Sequence, residues 1–213
     1  MSTPSKSSDD GAARKSAARR LWQALHGFFA SPLRGVLAVV GILGVLALSF
    51  VAAEEANIRL NTTEFCVSCH SMSYVYEEFK QSKHYTNASG VRPECGQCHV
   101  AKRFFPAMWD HVMGTHDLIS ELSNDWSTEE KFDAGRSRMA ERARLKMLAE
   151  DSHTCRECHK MDAIAPTRLR GQRAHDDAVA KDRTNCIACH YNLVHKEAPL
   201  TPAFSQAIKG FGG

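Results

Sequence analysis

The longest apolar stretch of the chain lies near its N-terminus. Residues 35–53, GVLAVVGILGVLALSFVAA, are nineteen residues without a charge. At a rise of about 1.5 Å per residue, a helix of this length nearly crosses a hydrocarbon core of about 30 Å. The pattern therefore predicts one transmembrane helix over 35–53, leaving residues 54–213 outside the bilayer.

A second pattern predicts a long polar helix in the middle of the chain. The segment 127–151, STEEKFDAGRSRMAERARLKMLAED, has no proline, and Ser127 with Glu130 resembles a capping box. We expect a connecting helix whose apolar side chains pack inward and whose cations face solvent or acidic groups. The inward set is Phe132, Met139, Ala143 and Met147, and the outward set is Arg142, Arg144 and Lys146.

The distribution of charge along the chain predicts how the chain is oriented across the membrane. The net charge of +3 divides into +4 over residues 1–34 (six Lys/Arg, two Asp) and −1 over residues 54–213 (21 Lys/Arg, 22 Asp/Glu). The positive-inside rule then places the N-terminus in the cytoplasm and the segment 54–213 on the outer side of the membrane. A cleaved signal peptide ending at 51–53 is the rival interpretation, although the apolar run exceeds the usual 7–15 residues. The small net charge of the outer segment gives no support to nucleic-acid binding.

The flanking segments carry weaker signals. Residues 1–34 are a basic cytoplasmic segment, in which 21–33 could equally be an amphipathic stretch or part of a disordered tail. Residues 197–213, EAPLTPAFSQAIKGFGG, are expected to form a flexible C-terminal tail.

All eight cysteines belong to four copies of one motif, C-x-x-C-H. In this motif two thiols add to the vinyl groups of a c-type haem, and the adjacent histidine is placed to bind its iron. A zinc or disulfide scaffold has no reason to place histidine after every second cysteine, so the sequence predicts four covalently bound haems. The first to fourth motifs are Cys66–Cys69–His70, Cys95–Cys98–His99, Cys155–Cys158–His159 and Cys186–Cys189–His190.

The four motifs form an imperfect duplication. The first and second motifs are 29 residues apart and the third and fourth are 31 apart, which indicates two dihaem modules over about 60–105 and 150–196. Met72 and Met161 follow the first and third motifs at the same offset, and His84 and His175 precede the second and fourth motifs at the same offset. His84 and His175 are therefore candidate distal iron ligands.

The remaining histidines divide by position. His195 lies five residues beyond His190, too close to reach the other face of the same iron, so we expect it to serve a neighbouring haem. His26 precedes the membrane segment, and His153 is expected to be structural. Three distal histidines thus stand against four haems, and the first haem is left without one. Met139 and Met147 are poor candidates for that role.

The motifs resemble the NapC/NirT/NrfH family of membrane-anchored tetrahaem quinol dehydrogenases. The resemblance covers nearly the whole chain: one N-terminal anchor, then NTTEFCVSCHSM, SKHYTNASGVRPECGQCH, CRECH and CIACHYNLVHKEAP in order. It implies a mainly α protein with little or no sheet, in which a compact periplasmic multihaem cytochrome c domain of two dihaem modules (54–196) follows one transmembrane helix. It also implies electron transfer from membrane quinol, menaquinol or ubiquinol, to a periplasmic reductase or cytochrome.

The resemblance also implies a ligand set. Met72 would be the proximal ligand of haem 1 in place of His70, with conventional ligation by His70 as the alternative. His99, His159 and His190 would be the other proximal ligands, with His195, His84 and His175 opposite them on haems 2, 3 and 4.

The resemblance suggests a quinol site near haem 1, which follows the membrane segment by only thirteen residues. Asp117 matches the acidic residue of the family. Two positions depart from its pattern: Asp110, beside His111, stands where a lysine or arginine is expected, and Lys102 stands where nitrate-reductase-type relatives often have histidine. The candidates for the quinol site are Asp117, His111 and Lys102. Lys102 could also ligate iron if deprotonated, or be solvated.

Three functions remain in competition at this stage. The first is quinol oxidation coupled to a reductase of nitrate, nitrite or a related anaerobic respiration. The second is a passive electron-transfer subunit that never binds quinol, which four ordinary bis-histidine haems would favour. The third is reduction of a small oxyanion at haem 1, for which a site at the membrane is poorly placed.

Overall fold

The computed structural model describes residues 31–211 together with residues 16, 19–20, 22–23 and 26–27. The basic segment 1–34, including Lys6, Arg14 and Lys15, and the stretch 21–33 therefore fall largely outside the described residues. Within the described part the chain is 66% helical and has no strand. The predicted mainly α fold, with one N-terminal apolar helix, is confirmed.

Helix α1 spans Pro32–Leu60, so it extends beyond the predicted 35–53 at both ends. Proline at the first helical position suits the helix start because its φ is already fixed near −65°. Among the described residues, this is the one helix long and apolar enough to cross a membrane. Its side chains are exposed, Leu48 to 72%. A continuous apolar surface of this kind is stable in lipid rather than in water.

The chain divides into two compact units, Met1–Glu54 and Glu55–Gly213. Most of α1 makes up the described part of the first unit. The end of α1 opens the second unit, which also holds the remaining helices. These are α2 Thr63–Cys66, α3 Met72–Gln81, α4 Cys95–His99, α5 Phe104–Ser123, α6 Glu129–Ala149, α7 His153–Arg156, a 3₁₀ helix Met161–Ala163, α8 Leu169–Ala180, α9 Cys186–Cys189 and α10 Pro202–Ala207.

Helix α6 is the predicted connecting helix, but it begins differently. Its N-cap is Thr128, whose hydroxyl accepts the N–H of Lys131 at 3.4 Å, so Ser127 and Glu130 do not form the cap. Phe132 is buried as expected, with the rings of Tyr74 and Trp126 at 5.6 and 6.0 Å between centroids.

Arg144 on α6 is buried, which corrects the expectation that it faces solvent. Its guanidinium donates to the carbonyls of Tyr191 and Ala198 and to the side-chain oxygen of Asn192, at 3.2, 3.1 and 2.6 Å. It also lies over the ring of Phe204, 5.8 Å from the centroid. The charge is tolerated because several oxygens accept its N–H groups.

The C-terminal segment is folded, in contrast to the flexible tail expected for 197–213. Helix α10 packs on α6, and Phe204 is fully buried. The hydroxyl of Thr201 caps the helix by accepting the N–H of Phe204, and Pro202 occupies the first helical turn. This Thr-Pro start is a recognised helix signal.

Candidate haem and metal centres

Each of the four motifs begins in a short helical turn: α4 and α9 contain both cysteines of the second and fourth motifs, whereas α2 and α7 contain only the first cysteine of the first and third motifs. Residues three apart lie on the same side of a helical turn, so the two thiols of a C-x-x-C pair can reach one ligand together. None of the eight cysteines, all of which lie in the described part of the chain, forms a disulfide.

The first and second motifs are held together by a set of close contacts, called the joint of this pair. Cys66 donates a hydrogen bond to Cys95, which raises the pKa of Cys66 and lowers that of Cys95 to about 6. The N–H of Gly96 donates to the carbonyl of Asn61 at 3.2 Å. A β-carbon on Gly96 would lie 2.4 Å from the side-chain oxygen of Asn61, so the joint requires glycine.

The third and fourth motifs repeat this joint. A hydrogen bond between the two thiols raises the pKa of Cys155 and lowers that of Cys186 to about 6. The N–H of Ile187, one residue past its cysteine like Gly96, donates to the hydroxyl of Ser152 at 3.0 Å. Asn185 bonds the same hydroxyl and the carbonyl of Leu148. The duplication seen in the sequence thus extends to hydrogen bonds.

The two pairs are joined through the second and third motifs. Helix α4 packs on α7, and burial, together with the neighbouring Cys158, raises the pKa of Cys98. Lys102, exposed, bonds Glu157 of the third motif at 2.8 Å. This ion pair raises the pKa of Lys102 and opposes the deprotonation that iron ligation would require. The four motifs therefore form a continuous series in chain order.

Each of the three expected distal histidines lies opposite one motif histidine. Two metal–nitrogen bonds of about 2 Å each, plus the distance from each ring nitrogen to its own ring centroid, add up to a separation of about 6 Å between the two centroids. The sequence had paired these same residues, and the pairing stays a prediction that the distances support. The centroid separations are 6.0 Å for His84 and His159, 6.2 Å for His99 and His195, and 6.1 Å for His175 and His190.

The ring nitrogens suit metal binding. Nδ1 of His175 bonds the carbonyl of Gly171 at 2.9 Å, which leaves Nε2 free, an arrangement typical of metal-ligating histidine. Nδ1 of His84 is buried without a hydrogen-bond partner, and bound metal would satisfy such an atom. Beside His175 lies a cavity of about 350 Å³ whose lining includes Met161. These features fit a haem held between histidine pairs.

Surrounding protein atoms favour the neutral form of four of these imidazoles. The side chain of His99 is partly exposed, but the surrounding protein atoms lower its pKa to about 4. His195 and Lys146 lower this pKa further. Burial is also the main cause of the lowered pKa of His84, His190 and His195. Neutral imidazole is the form that binds metal.

The first motif has a different environment. Nε2 of His70 lies 3.1 Å from the hydroxyl of Tyr74, which also donates to the carbonyl of Trp126 at 3.3 Å. Within residues 31–211, no histidine ring contact is seen opposite His70. Met72 is half-buried and opens α3.

A buried serine fixes the chain between His70 and Met72. Both the N–H and the hydroxyl of Ser71 donate to the carboxylate of Glu121 on α5, the N–H at 3.2 Å. Ser71 is 2% exposed. This clamp joins positions fifty residues apart, and nothing in a single sequence could have indicated it.

Helix α5 carries the candidate acidic residue. Asp117 and the adjacent His116 are exposed, and Arg142 of α6 holds both: Nη2 lies 2.5 Å from Oδ1 of Asp117, and Nη1 lies 2.7 Å from Nδ1 of His116. His116 is flanked on the helix by exposed apolar side chains at Val112 and Ile119. The sequence analysis expected Arg142 to face solvent or acidic groups but did not identify these two partners.

The other two quinol-site candidates do not join Asp117. His111 lies on a different face of α5 and contacts Oδ1 of Asn57 at 3.1 Å, near the end of α1. Lys102 pairs with Glu157 as described. Asp110, the position that departs from the family pattern, is a structural group: its Oδ2 accepts the N–H of Ala101 at 2.8 Å and lies 3.1 Å from Nζ of Lys146.

Comparison with known proteins gives a consistent result. The sequence model of the NapC/NirT cytochrome c family, N-terminal region, matches residues 30–200. A probable tetraheme cytochrome c-type protein of Nitrosomonas europaea is 42% identical over 180 residues, covering 83% of this chain and 75% of that protein. The cytochrome c-type protein NapC of Escherichia coli K12 is 36% identical over 186 residues, covering 84% and 89%.

A longer relative matches as well. The cytochrome c-type protein TorC of Escherichia coli K12 is 38% identical over 191 residues, covering 88% of this chain. The matched part is 48% of TorC, so the chain spans about half the length of that relative. No solved structure matches.

Proposed function

Since the chain belongs to the NapC/NirT cytochrome c family, we propose that it oxidises membrane quinol and delivers the electrons to a periplasmic reductase or cytochrome. The chain is a single-pass membrane protein that binds c-type haem. The proposed orientation places residues 1–34 in the cytoplasm and the motifs in the periplasm, following the charge asymmetry about α1.

The chain holds four haems through its eight cysteines in this proposal. Bound haem supplies one-electron redox centres whose potentials depend on axial ligands and surroundings. The motif histidines His99, His159 and His190 ligate three of the irons, with His195, His84 and His175 on the opposite faces. The three ring separations near 6 Å support this set.

Met72 is the proposed proximal ligand of the first haem. The hydrogen bond between His70 and Tyr74 engages the ring nitrogen that iron would need, while the clamp on Ser71 fixes the turn leading into Met72. A thioether ligand raises the potential relative to imidazole. Ligation by His70 remains the alternative and would require Tyr74 to release the ring.

The structural observation that carries quinol oxidation is the group formed by His116, Asp117 and Arg142. Quinol must lose two protons along with its electrons, so its site needs proton acceptors on an apolar surface. His116 and Asp117 are such groups, Arg142 holds both, and the exposed side chains of Val112 and Ile119 supply the apolar surface. Lys102 and His111 lie in other contacts and have secondary roles here.

The test is anaerobic reduction of the full-length protein by a menaquinol or ubiquinol analogue, followed in the haem absorption bands. Asp117→Asn should slow quinol-driven reduction at least about 100-fold, the usual range for loss of a proton acceptor. Dithionite should still reduce the variant fully. Asp125→Asn, which changes an exposed carboxylate elsewhere, should leave the rate unchanged.

The opposite result has a clear meaning. If neither quinol reduces wild-type protein that dithionite reduces fully, the chain is a passive electron-transfer subunit. If quinol reduces wild type and Asp117→Asn equally well, quinol oxidation stands but its site is elsewhere, with His111 and Lys102 as the next positions to change.

A further inference from the structure

A compact cluster of charges lies where α3 meets α6. Arg136 of α6 donates to both carboxylate oxygens of Glu78 on α3, at 2.6 and 3.1 Å, and its Nε donates to Asp133 at 2.7 Å. The side chains of Arg136 and Glu78 are only 9% and 14% exposed. Lys196 completes the cluster through its ammonium group, which contacts Asp133.

This ion pair is an inefficient source of stability. The cost of removing both charges from water offsets most of their attraction, so buried pairs are better explained by the geometry that they fix. The geometry fixed here concerns the segment around His195. The backbone N–H of Lys196 donates to Oε2 of Glu78 at 3.0 Å, and the same oxygen lies 3.7 Å from Nδ1 of His195.

Helix α3 holds His195 at a second point. The imidazole of His195 forms a hydrogen bond with the backbone of Val75, one turn before Glu78 on α3. Its ring faces His99 on the other side. A ligating histidine is commonly held by a backbone carbonyl, as His195 is by Val75, and losing such partners typically costs 10–100-fold in metal affinity or activity. The Glu78 carboxylate lies beside this ring, beyond hydrogen-bond distance, and bonds the backbone of the next residue instead.

We propose that Glu78 is a positioning residue for His195, and that α3 thereby links the ligand of the second haem to the helix that begins at Met72. The proposal rests on the proposed function in taking His195 as an iron ligand. Glu78 acts through two contacts: it accepts the N–H of Lys196, and it sets Arg136 beside the ligand segment. Helix α3 therefore starts at the first centre and supports the second.

The test uses two conservative variants of the full-length haem-loaded protein to distinguish the effect of the side-chain length of Glu78 from the effect of its charge. Glu78→Asp keeps the charge but shortens the side chain, so its carboxylate cannot bond both Arg136 and Lys196. One haem should then become partly high-spin in optical and EPR spectra. Glu78→Gln keeps an oxygen in place but removes the charge, so all haems should stay as in wild type in spin state.

The charge effect is read in the reduction potential. In Glu78→Gln, Arg136 keeps only Asp133 as a counter-charge, and the added positive field favours ferrous iron. The potential of one haem should rise, with the ferrous-to-ferric ratio at a fixed potential increasing up to about tenfold, equal to about 59 mV for one electron. Glu77→Ala, which changes an exposed neighbour on α3, should alter neither spin state nor potential.

A third variant distinguishes this proposal from the ligand assignment. His195→Ala should convert one haem to high-spin completely. If it does so while Glu78→Asp leaves every haem low-spin and Glu78→Gln leaves every potential unchanged, Glu78 is merely structural and the inference is wrong. If His195→Ala itself leaves all spectra unchanged, the ligand set of the proposed function fails instead.

Discussion

The first and third motifs have the same sequence pattern but different surroundings. Each reads C-x-x-C-H with methionine two residues later, Met72 in one and Met161 in the other. His159 of the third motif faces His84 across 6.0 Å, whereas the ring of His70 is hydrogen-bonded to Tyr74. The same attachment motif thus meets different neighbours in the two modules.

The two methionines differ in the same way. Met72 is the first residue of α3, directly after the serine that Glu121 clamps. Met161 begins a short 3₁₀ helix and lines the cavity beside His175, the expected ligand of the fourth centre. Equal spacing in the sequence therefore gives a candidate ligand in one module and a packing side chain in the other.

The largest expected effect comes from replacing each of these two methionines with alanine in a separate variant. Met72→Ala should remove the proposed ligand of the first haem, changing the spectrum and potential of one haem and slowing quinol-driven reduction by about 10-fold or more. Met161→Ala, the matched control, should leave all four haem spectra close to wild type. The measurement is a redox titration with EPR of both variants. Equal perturbation by the two changes would remove the distinction between the motifs.

A smaller effect is expected from closing the space at Gly96, which alters the joint of the first pair alone. A β-carbon there meets Asn61 at 2.4 to 2.7 Å, so Gly96→Ala should destabilise the domain by about 1–3 kcal/mol. Thermal unfolding followed by circular dichroism measures this. Gly114→Ala is the control: no atom lies within 4 Å of its β-carbon, and alanine favours a helix interior by up to about 1 kcal/mol. A neutral Gly96→Ala would contradict the tight joint.

The smallest effect is expected from Tyr74→Phe, which removes the hydroxyl beside His70. The loss of its hydrogen bonds should cost about 0.5–1.5 kcal/mol of stability. Because the ring nitrogen of His70 is then free, the first haem should shift partly toward histidine ligation, lowering its potential. EPR and redox titration would detect this change at one haem, with Tyr85→Phe as the control. An unchanged first haem would mean that Tyr74 has no part in selecting Met72.

The sequence anticipated features that repeat or that run without interruption. The apolar helix followed from composition and length, and the mainly α fold followed from the family resemblance. The offsets of His84 and His175 pointed to rings that the structure brings opposite His159 and His190. His195 could be assigned to another centre because a five-residue loop cannot turn its ring back.

Contacts between segments that are distant in the chain could not be predicted from the sequence. Glu121 with Ser71, Arg142 with Asp117 and Glu78 with Lys196 each join segments whose relative placement no local pattern encodes. Arg144 was misjudged for a related reason: a charged residue on a polar helix is usually solvated, and here the C-terminal segment covers it.

The burial of Phe204 against α6 also determines how late in synthesis the domain can complete its packing. Synthesis at about 5–20 residues per second makes Cys66 roughly 7–30 s before Phe204. During that interval the guanidinium of Arg144 lacks the carbonyl of Ala198, and the ring of Phe204 cannot yet cover α6. The contact between α10 and α6 therefore forms last, after all four C-x-x-C-H motifs have been synthesised.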